Sequence, residues 1–320
     1  MEVSDLDMPD DVRLMHHSLR LLALPPSALP LSLDLANDGT AMRFLTAYAA
    51  LQEGRVVRLD GCTRMRERPI AQLVDALRSA GADIRYLARE GYPPLEIHGR
   101  SLTVPALSVS ISHPLSTQFV SALLLLGWPV QTDSTSPYIR LTRACVRNYR
   151  PDFSIEPCWS SAAFWYEWVA IHGGELLLAD LRRDSLQGDS IVADAFACLG
   201  VETCFVEGGA LIRRSPIADL PHSLSWNFAD CPDLYPALAM ACHCLGVHLL
   251  STGTESLPLK ESNRLSAVEA LCHADRAQVV SVSHDHRIAM AAMVAGYRVD
   301  DTECVAKSYP SFCRQLWSIL

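Results

Sequence analysis

The chain has 320 residues, enough for one large domain or two ordinary ones, and 49% of them are apolar, which is ample for a buried core. Its formal net charge of −9 argues against a nucleic acid or an acidic membrane surface as partner, and requires that any small anion it binds be met by cations gathered locally. No apolar run reaches the roughly 20 residues of a membrane helix; the longest, Val120 to Val130, carries Gly127 and Pro129.

The chain opens on the acidic stretch Met1 to Asp7, without the basic start and apolar run of a secretory leader. Asn37-Asp38-Gly39-Thr40 precedes the apolar run Met42 to Ala50. Arg64-Met65-Arg66-Glu67-Arg68-Pro69 then leads into an amphipathic helix, Ile70 to Ser79, with Ile70, Leu73, Val74 and Leu77 on one face. Pro69 suits the first helical turn, which puts Arg68 at the helix N-terminus. Gly81 stops this helix; Ala82 to Leu87 reads as a strand, Gly91 to Pro94 as a turn, and Leu95 to His98 as the returning strand. Ser116-Thr117-Gln118 precedes the helical run Phe119 to Leu126, and Ser160-Ser161 precedes Ala162 to Ile171. A second helix-strand-turn-strand unit follows: Ile191 to Leu199, Val201 to Val206, Gly208-Gly209, and Ala210 to Arg213. A weaker third copy runs from Leu265 through Leu271 into Ala277 to Val280. This recurrence predicts an α/β architecture built from repeated units.

Several helix starts are richer in cations than capping requires. Ser, Thr, Asp and Asn cap helices well, but a basic residue there opposes the helix dipole, whereas an anionic ligand at a helix start would favour it. Arg43, Arg68, Arg264 and Arg287 all lie at such places. Of the 27 basic residues only Lys260 and Lys307 are lysine. Arginine replaces lysine on a solvated surface but not where a compact point charge or a tunable proton carrier is needed, so these two positions stand out. Together the six cations suit a polyanionic small molecule, with Asp233, Glu261 and His286 as candidate proton carriers. The eleven cysteines are scattered without C-x-x-C pairs, which predicts reduced, mostly buried thiols and a cytoplasmic location. Neither Cys242-His243-Cys244 nor His284-Asp285-His286 has structural-zinc spacing, so no metal site is expected.

Eight stretches, in order, resemble the 5-enolpyruvylshikimate 3-phosphate synthases of the enolpyruvyl transferase family, in their bacterial form. They are Asn37 to Arg43, Arg64 to Pro69, Ser116 to Gln118, Thr135 to Tyr138, Ser185 to Asp189, Lys260 to Arg264, Asp285 to Met290 and Ala306 to Pro310. The resemblance implies an α/β (α+β) fold of two domains built from repeated units and closing on substrate. Residues 1–155 would be the shikimate 3-phosphate-binding domain, and 156–320 a second domain supplying phosphoenolpyruvate-binding and acid–base residues. It implies transfer of the enolpyruvyl group of phosphoenolpyruvate to the 5-hydroxyl of shikimate 3-phosphate, with release of phosphate and no cofactor. Ser116, Thr117, Thr135 and Tyr138 would bind shikimate 3-phosphate, with Gln118 reaching between the substrates. Gly39, Arg43, Arg68, Arg264, Arg287 and Lys307 would hold phosphoenolpyruvate. Asp233 would take the proton of the attacking hydroxyl; Glu261 leads as donor to the methylene carbon, with Lys260 and His286 near it. A monomer acting on small molecules is expected.

The chain departs from this pattern in places. It contains no K-S-x-x-N-R motif, which the family carries early, so the first domain is expected to be incomplete. Tyr138 to Ile155 and Arg264 to Asp285 are shorter than usual. Asp38 stands where a small neutral residue is common, and Ser256 where asparagine is; Thr117 and Asn263 are milder changes. Two alternatives remain: a catalytically silent shortened homologue, and the sister enzyme acting on UDP-N-acetylglucosamine. The Ser116-Thr117-Gln118 and Lys260-Glu261 contexts favour the shikimate reading over the latter.

Overall fold

In the computed structural model the described residues are 8–104, 108–148, 155–215 and 219–319. Among the described residues the chain divides into two compact units, one within residues 10–148 and one within residues 155–319.

The first unit runs α1 (Asp10–Ala23), β1 (Leu31–Asp34), α2 (Gly39–Ala50), β2 (Val56–Asp60), α3 (Ala71–Ser79), β3 (Asp83–Tyr86), β4 (Leu95–His98), β5 (Val109–Ser110), α4 (Thr117–Leu125), β6 (Val130–Gln131) and α5 (Pro137–Asn148). Four strands form a sheet in the order β1-β2-β4-β3, with β1 parallel to β2 and the other pairs antiparallel. Alternation sets its inner face: Val57, Leu59, Ile84, Leu95 and Ile97 are buried and share a core with Met42, Leu45, Leu73 and Leu77 of α2 and α3. The expected helix-strand-turn-strand unit is α3-β3-β4.

The second unit runs α6 (Trp159–His172), β7 (Glu175–Ala179), α7 (Val192–Ala197), β8 (Val201–Val206), β9 (Gly209–Arg214), β10 (Ser223–Asn227), α8 (Tyr235–Leu245), β11 (His248–Thr252), α9 (Arg264–His273), β12 (Val279–Val280), α10 (His286–Val294), β13 (Arg298–Val299) and α11 (Phe312–Ile319). The antiparallel sheet β7-β9-β8 repeats the ladder of β2-β4-β3. Helix α6 buries Trp159, Ala163, Phe164, Tyr166 and Val169 around most of its circumference, as a central helix does. Among the described residues no helix is long and apolar enough to cross a membrane.

Four sequence expectations change. Pro69 lies outside the helix, which starts at Ala71 after Ile70, so Arg68 ends a short 3₁₀ turn, Met65–Glu67, instead of opening α3. Ser160 and Ser161 lie inside α6, whose cap position is Cys158, and Ser160 Oγ donates to the buried Asp189. In the third copy β12 is only two residues long and pairs in parallel with β13 across α10, so no hairpin forms. Of the eleven free cysteines only Cys231 and Cys242 are buried, while Cys62, Cys158, Cys198 and Cys204 are exposed.

One pattern positions everything that follows. Strand pairs β1/β2, β5/β6, β10/β11 and β12/β13 are parallel, and each is bridged by a helix, respectively α2, α4, α8 and α10. Each unit of this kind delivers loop residues and a helix N-terminus at the carboxyl end of its first strand, where open α/β folds gather ligand groups.

Candidate active site

In the first unit, Gly39 opens α2 behind Asp38, whose buried carboxylate caps the helix by accepting the Ala41 N–H at 2.9 Å. Arg43 and Arg68 are both buried side chains, 3% and 6% exposed. Arg43 Nη2 donates to Pro69 O at 3.4 Å, and Arg68 Nη1 to Asn37 O at 3.2 Å. A Cβ placed on Gly39 would lie 2.3 Å from Arg43 Nη1 and 2.5 Å from Arg68 Nη2. Glycine at 39 is therefore what lets two guanidinium groups close over the first turn of α2. Gln118 Nε2 donates to Thr40 Oγ1 at 2.9 Å, which ties the start of α4 to the start of α2.

Ser116 is the cap of α4 and accepts from Gln118 N at 3.3 Å, with Thr117 the first helical residue. Thr135 is exposed on the loop before α5, and half-buried Tyr138 lies in the first turn of that helix. Thr142 of α5 meets Ser121 of α4, hydroxyl to hydroxyl, at 2.8 Å, so the two helices carrying these groups are fastened together.

In the second unit, Asp233 lies in the 3₁₀ turn Pro232–Leu234 before α8. Lys260 and Glu261 follow the turn Leu257–Leu259 after β11, and Arg264 opens α9 behind its cap Asn263. Asp285 caps α10, His286 and Arg287 begin it, and Lys307 ends the turn Glu303–Lys307. The charged groups among them form one network. Arg264, only 1% exposed, donates Nη1 to Asp233 at 2.7 Å, Nη2 to Glu261 at 2.9 Å, and Nε to Asp285 at 2.9 Å. Lys260 Nζ donates to Asp233 Oδ1 at 3.1 Å, and Arg287 Nη2 lies 3.0 Å from Asp233 Oδ2. Lys307 Nζ stands 3.9 Å from Glu261 Oε1.

Burial alone would raise the Asp233 carboxyl, but Arg287, Lys260 and Arg264 outweigh it and hold the group well below the usual carboxylate range. Burial likewise opposes the charge on Asp285, and Arg264 overcomes it. His286 is pushed the other way. Its burial, and then the charge of Arg287, bring the imidazole down to about 3, so at neutral pH it is uncharged. Lys260, Arg264, Arg287 and Lys307 thus face Asp233, Glu261 and Asp285, with the buried carboxylate of Asp189 also acting on Arg287. Arg264, Arg287, Lys260 and Lys307 are each set against a carboxylate, the ion-pair role that a charged residue at such a position can also serve. The sequence reading also missed Asp285 and Ser262 as members of the cluster, although both lie inside motifs it singled out. An apolar cavity of about 600 Å³ beside α6, β7 and α11 lies apart from this network in its lining, which contains none of the charged residues named above.

The chain is similar to known proteins over most of its length. The family model described as EPSP synthase (3-phosphoshikimate 1-carboxyvinyltransferase) matches residues 5–130 and 126–316. A 3-phosphoshikimate 1-carboxyvinyltransferase of Bacteroides fragilis is 32% identical over 338 residues, covering 88% of this chain and 81% of its own length. One from Methanospirillum hungatei is 29% identical over 343 residues, covering 89% and 78%. The solved EPSP synthase of Acinetobacter baumannii superposes with a TM-score of 0.64 at 22% identity, over 90% of this chain and 78% of that one, which speaks for the fold. A family model spanning nearly the whole chain, with relatives matched over most of their length, makes this chain a member of the EPSP synthase family, the 3-phosphoshikimate 1-carboxyvinyltransferases.

Proposed function

We propose that this chain is a transferase that moves the enolpyruvyl group of phosphoenolpyruvate to the 5-hydroxyl of shikimate 3-phosphate and releases phosphate, a step of aromatic amino acid biosynthesis. The observation that carries the reading is the ion network of the second unit. It sets two partly exposed carboxylates, Asp233 and Glu261, among cations that suit a phosphate and a carboxylate.

The chemistry asks for these groups. Protonating the methylene carbon of phosphoenolpyruvate builds positive charge on the neighbouring carbon, which the substrate hydroxyl then attacks. Loss of a methyl proton and of phosphate restores the enol ether. In this reading Glu261 protonates the methylene, Asp233 takes the hydroxyl proton, and Lys260 and His286 stand close to both roles. Anionic groups beside the developing cation lower its energy, while arginines hold the phosphate that must leave. Gly39, Arg43, Arg68, Arg264, Arg287 and Lys307 would hold phosphoenolpyruvate; Ser116, Thr117, Gln118, Thr135 and Tyr138 would hold shikimate 3-phosphate. The first unit would then be the shikimate 3-phosphate domain and the second the main source of acid–base groups. A cytoplasmic location fits the free cysteines.

The test is phosphate release by the purified chain with both substrates present. Release that requires shikimate 3-phosphate supports the reading. Folded protein that releases none overturns it, and release with UDP-N-acetylglucosamine in its place would reassign the acceptor.

A further inference from the structure

Three carboxylates belong to the ion network, and counting their acceptor sites separates one from the others. A carboxylate offers about four lone-pair positions. Asp285 fills all four within the protein. Its Oδ2 accepts Arg264 Nε at 2.9 Å and Ser262 Oγ at 2.9 Å. Its Oδ1 accepts Arg264 Nη2 at 3.2 Å and the Arg287 main-chain N–H at 3.0 Å. The side chain is 0% exposed, against 19% for Asp233 and 11% for Glu261. A saturated, enclosed carboxylate has no site left for a substrate and no route to one.

The groups it does hold are those a substrate would meet. One pair of bonds orients the planar guanidinium of Arg264 edge-on, which leaves Nη1 and Nη2 directed at Asp233 and Glu261. The bond to the Arg287 N–H fixes the first turn of α10, and with it the origin of the Arg287 side chain. The bond from Ser262 fastens the segment between Glu261 and Arg264. Asp285 is itself delivered by a turn in which Ser283 and His284 both take left-handed backbone angles, with φ of 52° and 55°. Non-glycine residues enter that region only when the surroundings over-determine it.

We propose that Asp285 is a positioning residue of this site, a single buried carboxylate that sets the directions of Arg264, Arg287 and Glu261 without touching substrate. The inference rests on the function proposed above and adds a residue to it. It assigns Asp285 to the handling of phosphoenolpyruvate, because the groups it orients are the proposed contacts of that substrate and not those of shikimate 3-phosphate.

The experiment is a steady-state comparison of wild type, Asp285→Asn and Ser262→Ala, with each substrate varied in turn. Asp285→Asn replaces an acceptor by an amide NH₂ that opposes the Arg264 or Arg287 donor; KM for phosphoenolpyruvate should rise about 30- to 100-fold, the scale of a small misplacement of catalytic groups. KM for shikimate 3-phosphate should stay within about threefold. Ser262→Ala keeps the charge and removes one of four donors, so about a threefold rise in the first constant alone is expected, with a smaller loss of stability than in Asp285→Asn. This variant carries the test if Asp285→Asn does not fold. Equal movement of both constants, or none, overturns the proposal. If wild type has no turnover, the proposed function fails by itself. Calorimetric titration with phosphoenolpyruvate then reads the same positioning: weaker binding in the variants upholds it and unchanged binding overturns it.

Discussion

The two units solve the same problem, holding anion-binding groups at helix starts, in different ways. In the first, shape sets the room for Arg43 and Arg68: they donate to main-chain carbonyls and close over a position where only glycine leaves space. In the second, Arg264 and Arg287 are steered by charge, through carboxylates at hydrogen-bonding distance. Where shape sets the room, the flexible end of an arginine can be displaced from a filled space. A cation held in a buried ion network cannot, because its removal strands the carboxylates around it.

The largest expected effect tests the charge-held side. Arg264→Ala leaves Asp285 buried without its counter-ion, and breaking a buried pair in this way costs about 3–5 kcal/mol. Urea unfolding should show that loss alongside a fall in turnover of about a thousandfold. A variant of near wild-type stability would show that the network can relax, and the contrast between the units would fail.

Next comes the shape-held side. Gly39→Ala puts a methyl group where the Arg43 and Arg68 termini lie, and these flexible ends must retreat. The expected result is about a hundredfold loss in kcat/KM for phosphoenolpyruvate, equivalent to about 2.7 kcal/mol, with unfolding free energy within about 1 kcal/mol of wild type. Stability falling as far as activity would mean that the glycine serves packing.

A smaller effect is expected at Glu167, in α6 of the second unit. It is wholly buried, neither carboxylate oxygen has a hydrogen-bond partner, and burial raises its pKa well above the ordinary value. It is the opposite of Asp285: a buried acid without a cation. An acid with a raised folded-state pKa is penalised above its unfolded value, so the cost is absent at about pH 4 and grows as pH rises. Glu167→Gln should therefore stabilise the protein at pH 7–8 by about 1–3 kcal/mol, the scale of an unsatisfied buried polar group, and do little near pH 4. Denaturant titrations at the two pH values check the sign.

The smallest effect concerns His286. Its imidazole is neutral down to about 3 in the folded state, so stability should decline as pH falls from about 6.5, where the unfolded chain begins to take up the proton. His286→Gln should flatten that part of the stability curve by less than about 2 kcal/mol between pH 7 and pH 5, within what two pH units of one proton allow. An unchanged slope would mean that the proton is taken up in the folded state too.

Much of this site could be read from the chain before any coordinates. The polar clusters ahead of apolar runs become caps at Asp38, Ser116, Asn263 and Asp285, because capping depends on residues within three positions of one another. The strand Val201–Val206 emerges with the expected bounds, and its partner extends only one residue beyond the expected ends, since glycine turns and alternation are local signals. The failures have the same logic in reverse. Pro69 was compatible with a helix start, but the 3₁₀ turn ahead of it and the bond from Ile70 N to Gly91 O placed that start two residues on.

What the sequence by itself determined is the set of chemical groups, their order, and the helix starts that present them. Which of those groups face one another was decided only by the tertiary structure. The bonds that join Arg264 to Asp233 and Asp285 span 31 and 21 residues, and the one from Gln118 to Thr40 spans 78. Local pattern has no access to such pairings; they follow from the carboxyl ends of parallel strands in separate sheets being brought together, and from the cost of burying a charge without a partner.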